Sequence, residues 1–156
     1  LDMSLDAPTS VRAGSDSKNL KIAIVAARFN DRLVGGLLER TVQNLVKLGV
    51  GEDRIRVDRV PGSAELPFAA RIRAASGDFG VVIALGVLIA GETLHHEIIA
   101  RTVALGIQQV ALETGVPVIN GVICAETQRQ AEDRAIGKIE RGAEFASSAI
   151  EMAHWR

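Results

Sequence analysis

"FGVVIALGVLIAGETLHHEII", residues 79–99, decides the fold. Its first half, through Ile89, has no charged or polar side chain, so both faces of an extended segment there must be covered, which puts it in the middle of a sheet. Gly91 then breaks the run. Glu92, Thr93 and the adjacent His95 and His96 follow, opening a helix expected from about Leu94 to Glu113. A buried strand running into a helix in this way is one half of a βαβ unit, and the flanking sequence repeats the pattern.

"LKIAIVA" (20–26) is a second run apolar on both faces. "RIRVDRV" (54–60) alternates and is closed by Pro61-Gly62, and "VPVINGVIC" (116–124) supplies a fourth strand. Between the strands lie amphipathic stretches. Leu33, Leu37, Thr41 and Leu45 recur every four residues beside Val34, Leu38, Val42 and Val46, in a helix that Asn30 is expected to cap and Gly49 and Gly51 to end. A second helix is expected from Ala64 to Ala75, with Pro67 in its first turn. The chain from Glu126 onward reads as helical, broken near Gly142. The fold class is therefore α/β: a flavodoxin-like three-layer α/β/α sandwich on a four-stranded parallel sheet.

The 156 residues suit one domain with a sizeable core. "LDMSLDAPTSVRAGSDSKN" (1–19) is polar and is expected to form a flexible arm ahead of a single domain over 20–156. Eighteen Lys plus Arg against nineteen Asp plus Glu provide no field for nucleic acid or anionic lipid, so small molecules and proteins are the expected partners. No apolar run approaches the roughly 18 residues of a membrane span. The lone Cys124 excludes a disulfide framework and fits a reducing, cytoplasmic compartment; its apolar neighbours suggest an inert buried thiol.

Ligands of such sheets bind at the carboxyl ends of the strands. Phe29 ends the first strand in a chain with four Phe and no Tyr, and either stacks on a planar ligand or lids the core. Glu65, after Ser63 and Ala64, either accepts from ligand hydroxyls or places charge at a helix start. Gly91 permits close backbone approach. The amides of Glu92 and Thr93, read as part of a helix start, suit an anion such as phosphate. The same dipole keeps His95 neutral and able to exchange a proton near pH 7; the alternative is a histidine bonded to backbone or solvent. His96 points about 100° away and is read as packing, and adjacent histidines do not chelate a metal from one helix. Arg134 and Lys138, four apart, share one helical face, as a solvated stripe or a phosphate clamp.

The order of "ARFN", "VPGSAELP", "LGVLIAGETLHHE", "GVPVINGVI", "RA" with a following lysine, and "SAIEMA" resembles the lumazine synthase (6,7-dimethyl-8-ribityllumazine synthase) family over residues 20 to 154. The resemblance implies condensation of 5-amino-6-(D-ribitylamino)uracil with 3,4-dihydroxy-2-butanone 4-phosphate, the penultimate step of riboflavin synthesis, with no cofactor and no metal. It implies that Phe29 stacks on the pyrimidine and that Ser63, Ala64 and Glu65 hold the ribityl chain. The main chain of Val87, Leu88 and Ile89 would read the uracil edge, and Glu92 and Thr93, beside Gly91, would bind phosphate through amides. His95 matches the family's acid/base. Arg134, with Lys138 nearby, matches a phosphate arginine supplied by the neighbouring protomer of a pentamer, and Asn120 lies where that neighbour meets the pyrimidine. The resemblance leaves open an association with riboflavin synthase.

Four positions depart from the family pattern. Ala90 replaces a basic residue, His96 an aromatic, and Asn120 an aromatic, while "AIGKIERG" (135–142) is a residue shorter than the usual Gly-rich turn. Because the turn is not lengthened, a 60-subunit shell is favoured over a free pentamer. Two other classes compete with the enzyme: a flavin- or nucleotide-binding module that would not need His95, and a shell-forming protein with impaired catalysis.

Overall fold

Six consecutive apolar residues, Ile22–Ala27, form strand β1, and all six are fully buried. Strand β3 (Val81–Ile89) is buried from Val81 through Val87. These are the two central strands of the computed structural model, which describes residues 15–155. The half-exposed strands β2 (Ile55–Val60) and β4 (Val118–Ala125) take the edges, giving the order β2-β1-β3-β4 with every pairing parallel.

Helices α1 (Asp31–Lys47), α4 (Gln128–Ala135) and α5 (Arg141–Ala153) cover one face of the sheet. There Leu33, Val34, Leu37, Leu45 and Ile150 close over Ile22, Ile24, Ile83 and Leu85. Helices α2 (Leu66–Ala75) and α3 (His95–Thr114) cover the other face, where Leu66, Ala70, Val103 and Ile107 meet Ala23, Val25 and Val82. This is the expected α/β/α sandwich. A 3-10 turn over Ser63–Glu65 precedes α2, and Pro67 falls in the first turn, where no backbone donor is lost. Residues 1–14 of the expected arm lie outside the described residues, and Ser15–Asn19 forms a 3-10 turn.

Several expectations need correction. Asn30 precedes α1 but is not a side-chain cap: its backbone is left-handed (φ 59°, ψ 48°), and its Nδ2 donates 2.7 Å to the Val87 carbonyl on β3. A capping side chain needs extended backbone. The break in the last helical segment falls over 136–140, near Gly142 as expected, and Gly142 itself is the second residue of α5. Its size serves packing, since a Cβ there would come 3.0 Å from both Arg40 Cβ and Thr41 N on α1. Arg134 is at the end of α4, whereas Lys138 is in the following turn, so the two do not share a helical face. Cys124 is exposed, because alternation along β4 turns its neighbours Ile123 and Ala125 inward. Partial burial, with the carboxylates of Glu126 and Glu97, pushes its thiol pKa up and keeps it protonated at neutral pH.

Candidate active site

The sheet order reverses at β1: one crossover leads out to β2 on one side of it, and the next returns past β1 to β3 on the other side, with β4 beyond β3. The crevice at the carboxyl ends of β1 and β3 is therefore the topological switch point. Two details open it. β1 ends at Ala27, and the chain then leans toward β2, with Arg28 N–H donating to Val60 O (2.8 Å) and Phe29 N–H to Pro61 O (3.0 Å). β3 meanwhile runs on to Ile89, past its last partner in β1, Leu85 opposite Ala26. The amide of Asn30 satisfies the Val87 carbonyl in place of the missing strand.

Beyond Val87 the edge of β3 is bare. Val82 N–H and Ala90 N–H both donate toward β4, to Pro117 O (3.0 Å) and Ala125 O (2.9 Å). By alternation, the main-chain groups of Leu88 also turn to β4, and those of Ile89 turn to the crevice. Of the expected backbone readers, Ile89 faces the opening, Val87 has its carbonyl bonded to Asn30, and Leu88 contributes to the wall.

A cavity of about 430 Å³ occupies this crevice. Phe29 stands on its rim at 72% exposure, which excludes the core-lid alternative. Ser63, Ala64 and Glu65 form another wall. Ser63 is buried against β3 because residue 86 is glycine, where a Cβ would overlap Ser63 Oγ. Glu65 Oε2 accepts the Gly62 N–H at 2.9 Å and closes the turn ahead of α2. Gly91, Thr93 and His95 form the remaining side.

The start of α3 differs from expectation. His95 is its first residue, so Glu92 and Thr93 lie in the loop ahead of it and not on the first turn. Thr93 Oγ1 is 3.4 Å from His95 N–H and accepts its bond. Glu92 is exposed and is not part of the cavity wall. His96 also reaches the cavity, and its Nδ1 is buried without a hydrogen-bond partner. Among the described residues no group of three or more His, Cys, Asp or Glu could hold a metal.

Asn120 and Arg134 do not meet this cavity. They line a second one of about 450 Å³ along the edge strand β4, with Cys124, Gln130, Arg141 and Phe145. The two cavities share no lining residue. Asn120 Oδ1 accepts the Val122 N–H at 3.1 Å, and Arg134 Nη1 donates to Gln130 O at 3.1 Å. Lys138 is exposed and lines neither cavity.

The family model for 6,7-dimethyl-8-ribityllumazine synthase matches residues 19–156. The chain belongs to the 6,7-dimethyl-8-ribityllumazine synthase family. A protein of that name from Thermococcus gammatolerans is 44% identical over 144 residues, covering 92% of each chain. Another from Gloeobacter violaceus is 46% identical over 142 residues, covering 88% of this chain and 79% of its own.

Sequence reasoning missed Asn30, Gly62, His96 and Ile99 as wall residues of this cavity. Ile99 was accessible to it, being four residues after His95 on one helical face. Asn30 was not, because its role depends on β1 ending short of β3.

Proposed function

We propose that the protein condenses 5-amino-6-(D-ribitylamino)uracil with 3,4-dihydroxy-2-butanone 4-phosphate to 6,7-dimethyl-8-ribityllumazine. The observation that carries this reading is the family match, together with a cavity at the switch point walled by Phe29, Ser63–Glu65, the bare edge of Ile89 and His95. The exposed ring of Phe29 suits stacking on the pyrimidine, and the free main-chain groups of Ile89 suit its polar edge. The polar wall at Ser63 and Glu65 suits the ribityl hydroxyls, and the loop at Gly91–Thr93 suits the phosphate. His95 carries protons while the pyrimidine amine adds to the ketone, a first water leaves with imine formation, phosphate is expelled to leave an enol that becomes a carbonyl, and the ribitylamino nitrogen closes the ring on that carbonyl with loss of a second water. Holding two partners in register supplies much of the acceleration, and one imidazole adds about 10² to 10⁴.

The site is completed by a second protomer, which brings Arg134 and Asn120. Two features support this. The loop at Gly91–Thr93 has no cation on the wall of its own cavity, and Arg134 lines a separate one. Large apolar side chains are also exposed on the outer helices: Phe68 and Ile72 on α2, and Ile98, Leu105 and Leu112 spaced by sevens on α3. Such an area calls for partners. A pentamer, built further into a 60-subunit shell, fits these surfaces. The lone thiol fits a cytoplasmic location, and riboflavin synthase is the natural partner as consumer of the product.

The test is to mix purified protein with the two substrates and follow lumazine absorbance and fluorescence above the uncatalysed rate. No excess rate refutes the enzyme. For the shared site, His95→Ala and Arg134→Ala protomers are dissociated and reassembled together. Recovered activity is expected, because some interfaces pair an intact His95 with an intact Arg134. Activity no higher than in the separate variants, despite verified mixing, refutes sharing.

A further inference from the structure

Helix α4 is short, eight residues, seats Ala131 and Ala135 in the core over the sheet and, with the turn that follows it, forms an arm bearing Arg134; a stripe on α1 packs along that arm. Residues 32, 36 and 40 of α1 meet residues 132, 136 and 140 of the α4 segment, each set repeating at the helical interval of four. Arg32 pairs with Glu132 (2.5 Å) near the beginning of the arm. Gly36 provides a notch for Ile136, whose Cγ2 would be overlapped by any Cβ at that position. Arg40 closes the stripe: Nη1 donates 2.7 Å to Gly137 O, Nη2 donates to Ile136 O, and Nη1 lies 3.8 Å from Glu140 Oε1.

The last bonds have a local reason. Where α4 stops, Ile136 N–H reaches Glu132 O (2.9 Å) and Ile139 N–H reaches Asp133 O (2.9 Å), while the carbonyls of Ile136 and Gly137 point out of the turn. Helix-end carbonyls left this way need donors, and a guanidinium supplies two in a planar fork. The turn over 136–140 is therefore clamped by a side chain of another helix, one residue past the helix end that carries Arg134.

We propose that Arg40 is a positioning residue for the reaction, fixing the end of α4 from which Arg134 reaches the phosphate-bearing substrate of the adjoining protomer. This rests on the role given to Arg134 above. Arg40 lines neither cavity, so it acts only through the arm.

The experiment compares assembled wild type, Arg40→Met, Arg40→Lys, Arg134→Ala and the Arg40→Met/Arg134→Ala double variant. KM for each substrate, kcat, and inhibition by inorganic phosphate are measured. Arg40→Met is expected to raise the butanone phosphate KM and the phosphate inhibition constant about tenfold, since an ångström of misplacement can cost more than that. The pyrimidine KM should hold. Arg40→Lys, which can still serve one carbonyl, should recover part of the loss. In the Arg134→Ala background Arg40→Met should add nothing. Equal changes in both KM values, an unchanged phosphate constant, or additive losses in the double variant would overturn the proposal. If Arg40→Met does not assemble, Arg40→Lys decides by the same split. Arg134→Ala without effect on phosphate would refute the role of Arg134 itself, and Arg40's with it.

Discussion

Replacing Asn30 separates two contributions that the structure combines in one residue. Its φ of 59° lies in the left-handed region, which costs an ordinary residue about 1–2 kcal/mol, and asparagine less. Its Nδ2 also supplies the donor that Val87 O lacks where β1 ends, at 2.7 Å. Leaving a part-buried carbonyl unpaired costs about 1–3 kcal/mol. Asn30→Ala loses both, about 2–5 kcal/mol in total, and at about 2–4 °C per kcal/mol for a chain of this size it should melt roughly 4–20 °C lower. Asn30→Gly relieves the backbone cost and loses only the bond, plus about 0.5–1 kcal/mol of unfolded-chain entropy, so it should melt above the alanine variant. Asn30→Asp keeps the left-handed tolerance but sets a carboxylate against a carbonyl, and should be destabilised even so. The assay is thermal unfolding at one fixed protein concentration, because assembly shifts apparent stability. An aspartate variant that melts with wild type would show that the donor to Val87 contributes nothing, and the account of the open β3 edge would fail.

On the proposed reading, His95→Ala should lower kcat by about 10² to 10⁴ while circular dichroism and assembly stay unchanged; full activity across neutral pH would remove His95 as the proton carrier. Phe29→Ala should raise the pyrimidine KM more than the butanone phosphate KM, with little change in melting temperature because the ring is exposed, and equal KM changes would argue against stacking. Two bonds from Arg73, opposed by partial burial and reinforced by Arg56, hold the Asp58 carboxyl below its usual range. A depressed folded-state pKa stabilises above the unfolded value near 3.8 and loses that contribution as pH falls below it, so Asp58→Asn should flatten the stability profile in that acid window. An unchanged acid profile would assign the loss to other carboxylates.

The layers were legible because burial on two faces leaves a mark that does not depend on context. A run such as 81–87 has no other soluble place than a central parallel strand, and the helices flanking it could be read from their four-residue recurrence. What was not legible depended on where one element stops relative to another. Asn30 carries a residue type suited to capping, yet its conformation follows from β1 being shorter than β3. Gly142 looked like a helix breaker, and its absent side chain is instead the contact that lets α5 approach Thr41. On the cavity wall, Phe29 and His95 were legible because rare residue types at strand ends stand out. Cys124 was misjudged because apolar sequence neighbours on an edge strand say nothing of the intervening residue's own face.

The separation of the two cavities follows from the strand order itself. With β2-β1-β3-β4, the crevice that holds the first cavity lies between β1 and β3, and β4 occupies the edge on the far side of β3. The chain leaving β4 enters α4 and returns over α1, so Arg134 is set down beside the edge strand and not over the crevice. No lengthening of the loop at Gly91–Thr93 would reach it, since that loop already leads into α3 on the opposite face of the sheet. On the proposed reading a phosphate held at that loop meets no Lys or Arg among the described residues of the cavity wall, and a neighbouring chain's β4 edge would supply one; a buried phosphate without a cation is poorly compensated. On the same reading assembly is a condition of catalysis, and on the positioning role proposed for Arg40 it is α1 that sets the angle at which each protomer would serve its neighbour.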